Sequence, residues 1–70
     1  MVGIGTKVVI NYGTGIPEEY GVVTAIKNDG VSEYAVVEGD GFTMTAHDIR
    51  LDGETSVNGS PIGVYVDDKG

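Results

Sequence analysis

The chain has 70 residues, 40% of them hydrophobic, with eleven acidic against four basic side chains and a net charge of -7. At this length folding buries only about 60% of the surface the unfolded chain exposes, so there is room for one core and one domain. The lack of cysteine excludes disulfide staples, thiolate nucleophiles and cysteine-held zinc, and the acidic balance repels a nucleic-acid phosphate backbone unless Lys7, Lys27, Arg50 and Lys69 converge on one patch.

The first residues, MVGIGTKVVINYG, carry no charged segment ahead of a long apolar run, and no apolar stretch approaches the length of a membrane span. The expectation is a soluble, cytoplasmic protein. Thr6 to Tyr12 sets Val8, Ile10 and Tyr12 against Lys7, Val9 and Asn11, the period-two pattern of a half-buried strand. Gly13, Gly15 and Pro17 then forbid regular structure, and Glu18 and Glu19 keep the loop solvated. Gly21 to Lys27 is a second strand rich in β-branched residues, closed by Asn28-Asp29-Gly30, whose glycine suits the positive φ of a tight turn.

Ser32 to Glu38 reads as a third strand with Tyr34 and Val36 on one face and Ala35 and Val37 on the other; both faces are partly apolar, and the pattern does not say which is inside. After the Gly39-Asp40-Gly41 turn, Phe42, Met44 and Ala46 alternate with Thr43 and Thr45 in a fourth strand. Ala46-His47-Asp48 reads as one helical turn feeding a short fifth strand, Ile49 to Leu51. Residues 52–61 form a polar, turn-rich connection, residues 62–66 alternate Ile62, Val64 and Val66 as an extra strand, and residues 67–70 are an acidic tail. Val9, Ala35 and Val37 fall opposite the expected core faces, so Ile62, Val64 and Val66 are expected to cover them, within the chain or by pairing with another copy.

Gly5-Thr6-Lys7-Val8, Gly21-Val22-Val23-Thr24-Ala25-Ile26, Val36-Val37-Glu38-Gly39-Asp40-Gly41 and the corner His47-Asp48-Ile49 together resemble an SH3-like small β-barrel of the Tudor and KOW kind, over residues 5–51. The resemblance implies an all-β fold, a five-stranded barrel with an extra C-terminal strand. Tudor domains hold methylated lysine or arginine in an aromatic cage. Tyr12 and Tyr20 match two cage positions, whereas Val37 and Asp40 stand where the others would be aromatic. KOW-type domains use basic loops on RNA or on ribosomal and transcription proteins, and the basic residues are missing here, which leaves protein binding. The outline is also similar to the plasmid-type dihydrofolate reductase, a small barrel that assembles around a shared pore. Phe42-Thr43-Met44-Thr45 does not reproduce that family's Val-Gln-Ile-Tyr motif.

Catalytic chemistry finds little support. His47 is the one histidine, Asp48 beside it suits a cap better than an orienting partner, and Ser32, Ser56 and Ser60 occupy no nucleophile elbow. Glu38, Asp40, Asp67 and Asp68 lack the spacing of a calcium loop. Gly3-Ile4-Gly5-Thr6-Lys7 lacks the spacing and the following helix of a phosphate loop, and Asn58-Gly59-Ser60 before Pro61 reads as a turn. No catalytic residue, cofactor or metal is assigned. The expected function is a non-enzymatic module that binds a basic protein partner through Tyr12, Glu18, Glu19, Tyr20 and Asp40, in the manner of a viral accessory or inhibitor protein. The alternative is a homo-oligomer joined through Val9, Val37, Ile62, Val64 and Val66, a structural unit or a shared ligand or catalytic pore.

Overall fold

The computed structural model describes residues 2–47 and 61–67. Its five strands follow the apolar alternation: β1 (Lys7–Asn11), β2 (Glu19–Asn28), β3 (Glu33–Gly39), β4 (Phe42–Ala46) and β5 (Gly63–Val66). They form one antiparallel sheet in the order β4-β3-β2-β1-β5. The first four strands meander from neighbour to neighbour, and the last returns to lie beside the first. Among the described residues the sheet does not close into a barrel, so the all-β expectation holds at the level of strands and antiparallel pairing, with β4 and β5 at its two edges. Among the described residues no helix is long and apolar enough to cross a membrane. The expected strand Ile49 to Leu51 and the connection before residue 61 lie outside the described residues.

Directly opposed residues of antiparallel strands share a face, so the register sorts the side chains. Val8, Ile10, Val23, Ala35, Val37, Ala46 and Val64 form one core cluster with Val2, and Ile26, Phe42, Met44 and Val66 pack against it. This corrects the expectation that Ala35 and Val37 lie opposite the core: both are fully buried within it. The physical reason is a bulge. Val23 pairs with Val37 while Ala25 pairs with Val36, so Thr24 is an extra residue. One inserted residue lets Val23 and Ile26, three apart, reach the same face, and it bends the strand over the core it builds.

The opposite face carries Lys7, Val9, Tyr20, Val22, Ala25, Val36 and Tyr65 by the same register. Val9 is buried there between its cross-strand neighbours Tyr20 and Tyr65. Tyr65 is fully buried, and its hydroxyl donates to the Pro61 carbonyl at 2.7 Å, satisfying the one polar atom that burial would otherwise penalise. Before β1, Gly5 takes φ 91° and its N–H donates to the Val23 carbonyl at 2.7 Å, while the Gly3 N–H donates to the Thr6 hydroxyl at 3.0 Å. The glycine-rich opening is thus a turn that extends the ladder.

Candidate functional site

Antiparallel register brings the end of β1, the start of β2, the β3–β4 turn and the start of β5 to one end of the sheet. Tyr12, Glu18, Glu19, Tyr20 and Asp40 all belong to this end, although 28 positions of sequence separate the first from the last. Local hydrogen bonds shape the loop. Asn11 Oδ1 accepts from the Gly13 N–H at 2.9 Å, a turn of the kind asparagine favours. The Ile16 N–H donates to the Gly13 carbonyl at 3.3 Å, and Gly13 takes φ 113°, a conformation that a residue with a Cβ resists. Asn11 Nδ2 reaches across to the Pro61 carbonyl at 3.4 Å.

The Tyr12 hydroxyl donates to Glu19 Oε1 at 2.6 Å. That hydrogen bond to a carboxylate, with some desolvation and the repulsion between Glu19 and a phenolate, raises the Tyr12 pKa above its ordinary 10.0. The same contact settles the cage question. Glu19 opposes Ile10 on the core side of the sheet, whereas Tyr20 opposes Val9 on the other. Successive strand residues point to opposite faces, so Tyr12, tethered to Glu19, and Tyr20 do not face one another across a common pocket. The two-tyrosine cage implied by the Tudor resemblance does not form.

Two further residues join this end: Ile16, which the sequence did not single out, and Ile62, which it assigned to contacts between copies. Ile16 is 54% exposed on the loop and Ile62 is 72% exposed; a Cβ on Gly13 would touch the Ile62 side chain at 3.6 Å, which places Ile62 against the loop. With Tyr20, 58% exposed, they make this end apolar in area and acidic in charge. The available signal was an isoleucine standing immediately before Pro17 in an otherwise small and polar loop.

The residues expected to join copies are placed differently. Val37 and Val64 sit in the core cluster, Val66 packs against it, and Val9 is buried on the other face. Val9, Val37 and Val64 are buried within the chain, Val66 is partly buried, and Ile62 alone of the five is largely exposed.

At the far end of the sheet the β2–β3 turn is closed by Asp29, whose carboxylate accepts the Val31 and Ser32 N–H groups, each at 2.9 Å. His47 Nε2 lies 3.7 Å from Asp29 Oδ2, and its ring stacks on Tyr34 with centroids 5.0 Å apart. The Ser32 and Val31 hydrogen bonds are the main causes that hold the Asp29 pKa below its ordinary 3.8, with the nearby His47 a smaller one and slight desolvation opposing. Ala46 ends β4 and His47 occupies a turn, in place of the helical turn expected from Ala46 to Asp48; Asp48 itself lies outside the described residues. Glu38 and Asp40 are at or beside the β3–β4 turn, whereas Asp67, level with Glu38 in register, follows β5 three strand spacings across the sheet, roughly 14 Å away, and Asp68 lies outside the described residues. Among the described residues no three His, Asp or Glu side chains gather as metal ligands.

No family model matches the chain, and neither curated proteins nor solved structures give a match.

Proposed function

We propose that the chain is a non-enzymatic interaction module that binds a basic protein partner through the end of the sheet carrying Tyr12, Glu18, Glu19, Tyr20 and Asp40, extended by Ile16 and Ile62. The observation that carries this reading is convergence: register collects exposed aromatic and aliphatic area and three carboxylates at one end. Exposed tyrosine and isoleucine supply area to be desolvated on contact, and carboxylates at the rim steer a basic surface toward it. Inhibition of a host factor by occupying its basic groove is the use that fits such a surface, and a small SH3-like scaffold, with its last strand returned beside the first, suits the presentation. A partner captured from lysate and identified by mass, then titrated calorimetrically, tests the reading. Tyr20→Ala is expected to weaken binding roughly tenfold or more, as a buried aromatic anchor does, and added salt to weaken it further. Unchanged affinity in Tyr12→Ala and Tyr20→Ala, each still folded, removes this face.

A second reading, a homo-oligomer sharing a structural or pore-like site, is favoured by one observation: among the described residues the sheet is open, with edges at β4 and β5. Light scattering on a size-exclusion column separates the two. A salt-insensitive tetramer supports the second, and a monomer removes it.

A further inference from the structure

The direction of each peptide group along β4 can be derived from the far side of the sheet. Val23 donates its N–H to the Thr6 carbonyl at 2.9 Å and accepts from the Gly5 N–H at 2.7 Å, so its peptide groups point toward β1. Hydrogen-bonding direction alternates along an antiparallel strand. Val22 therefore bonds toward β3, its partner Glu38 bonds back to β2, and Gly39 bonds to Phe42 of β4. By the same alternation Phe42, Met44 and Ala46 spend their backbone groups on β3. Thr43 and Thr45 direct theirs away from the sheet, and among the described residues no strand lies beside them.

Natural edge strands are blunted by Lys, Pro, bulges or inward charges. β4, Phe-Thr-Met-Thr-Ala, has none of these, and its pairing with β3 is regular throughout. Side chains beside the edge are sorted by face. Phe42 and Met44 are half-buried on the core side, with the Phe42 ring lying over Gly39, where any Cβ would collide with it. Thr43 and Thr45 are exposed on the other side, and Glu38, exposed, stands directly across from Thr43. Asp40 is exposed at the turn that starts the strand. In register Lys7 shares the row of Glu38, two strands away through Val22, and Lys27 pairs with Tyr34 toward the opposite end of the sheet, so among the described residues no cation stands between Glu38 and the outer edge of β4.

We propose that the outer edge of β4 receives an extended segment of a partner protein in which basic and apolar residues alternate, added antiparallel or parallel as a sixth strand. Thr43 and Thr45 supply the backbone bonds. Apolar side chains of the added strand continue the row of Phe42 and Met44. Its basic side chains fall on the face of Thr43, two strand spacings or about 9.5 Å from Glu38. The short threonine between them leaves a path that the long stem of Lys or Arg spans. Charge selects this occupant over a second copy of the chain, because a net charge of -7 on each molecule opposes edge-to-edge pairing. The inference rests on the proposed function only for the basic character of the partner.

The test uses a capped peptide of alternating arginine and valine, titrated into the labelled protein while amide resonances are followed. Binding that moves Thr43 and Thr45 and weakens with salt is expected. Methylating alternate peptide amides, which keeps every charge but removes donors on one edge, is expected to weaken binding about tenfold for two lost bonds. Thr43→Pro blocks the edge at an N–H that points outward, a place where an edge strand tolerates proline, so a folded protein with about tenfold weaker binding is expected. Glu38→Gln is expected to reduce affinity severalfold and flatten the salt dependence. Equal binding by Thr43→Pro or by the methylated peptide overturns the proposal, as does a peptide that fails to bind. Shifts confined to Tyr12, Ile16 and Tyr20 overturn it while leaving the proposed function standing. Sedimentation showing a dimer that Thr43→Pro dissociates makes a second copy the occupant and overturns it too.

Discussion

The two ends of the sheet use acidic residues in opposite ways. At the Asp29 end the carboxylate is spent on the backbone: it accepts two N–H groups of its own turn and sits beside His47, which in turn lies on Tyr34. At the Tyr12 end Glu19 takes a side-chain hydroxyl, and Tyr20, Ile16 and Ile62 are left largely exposed. A carboxylate that closes a turn holds shape, and one that only touches another flexible side chain can exchange that partner for a ligand. The contrast therefore separates an end whose carboxylate is fixed by its own turn from the end proposed to bind.

The largest effect expected to break the comparison lies at the root of the Tyr12 end. A Cβ at position 21 would stand 2.7 Å from Val37 Cγ1 and 2.9 Å from the Glu38 carbonyl oxygen, and neither a fully buried side chain nor a strand backbone yields easily. Gly21→Ala is expected to destabilise by about 1–3 kcal/mol, the range for overpacking, read as a lower denaturant midpoint. A wild-type midpoint would mean that β2 and β3 are not locked at this crossing, and the Tyr12 end would lose its rigid base.

A smaller effect is expected at the turn end, and pH separates it from the first. The Asp29 pKa is lowered in the folded chain, so its contribution to stability is complete above the ordinary value of 3.8 and is lost as pH falls through the lower folded value. Asp29→Ala is expected to melt below wild type near neutral pH, the two converging under strongly acidic conditions. A gap that persists in acid would assign the loss to something other than the ionised carboxylate.

How much of this was legible in the sequence follows from what alternation encodes. The period-two pattern located β1 to within a residue at each end, and Asn28-Asp29-Gly30 marked the turn that Asp29 closes, because those signals are local. It also placed the tail segment around Val64 as a strand. The inside of β3 was not legible. Tyr34, Ala35, Val36 and Val37 are apolar on both faces, and the choice is made by Thr24 on the neighbouring strand, whose extra residue reads in the sequence as one more β-branched position. Curvature escaped for the same reason: alternation assigns faces but not closure, so an open sheet and a barrel share one pattern. At the candidate site, loop composition found Tyr12, Glu18, Glu19 and Tyr20. It could not show that Tyr12 and Tyr20 leave opposite faces, which depends on Glu19 lying opposite Ile10.

The smallest expected effect sharpens the Tyr12 end alone. The Tyr12 phenol is raised above 10.0, first by its hydrogen bond to Glu19. A raised folded value means that any stability this bond contributes is present below the ordinary tyrosine range and disappears as pH climbs through the folded value. Glu19→Gln keeps the size of the partner and removes its charge, so the tyrosinate absorbance of the variant is expected to appear at lower pH than in wild type, with thermal stability near neutral pH unchanged. If the titration does not move, Tyr12 is not held by Glu19 in solution; its ring would then be free to turn toward the Tyr20 face, and the separation of the two tyrosines, on which the rejection of an aromatic cage rests, would have to be withdrawn.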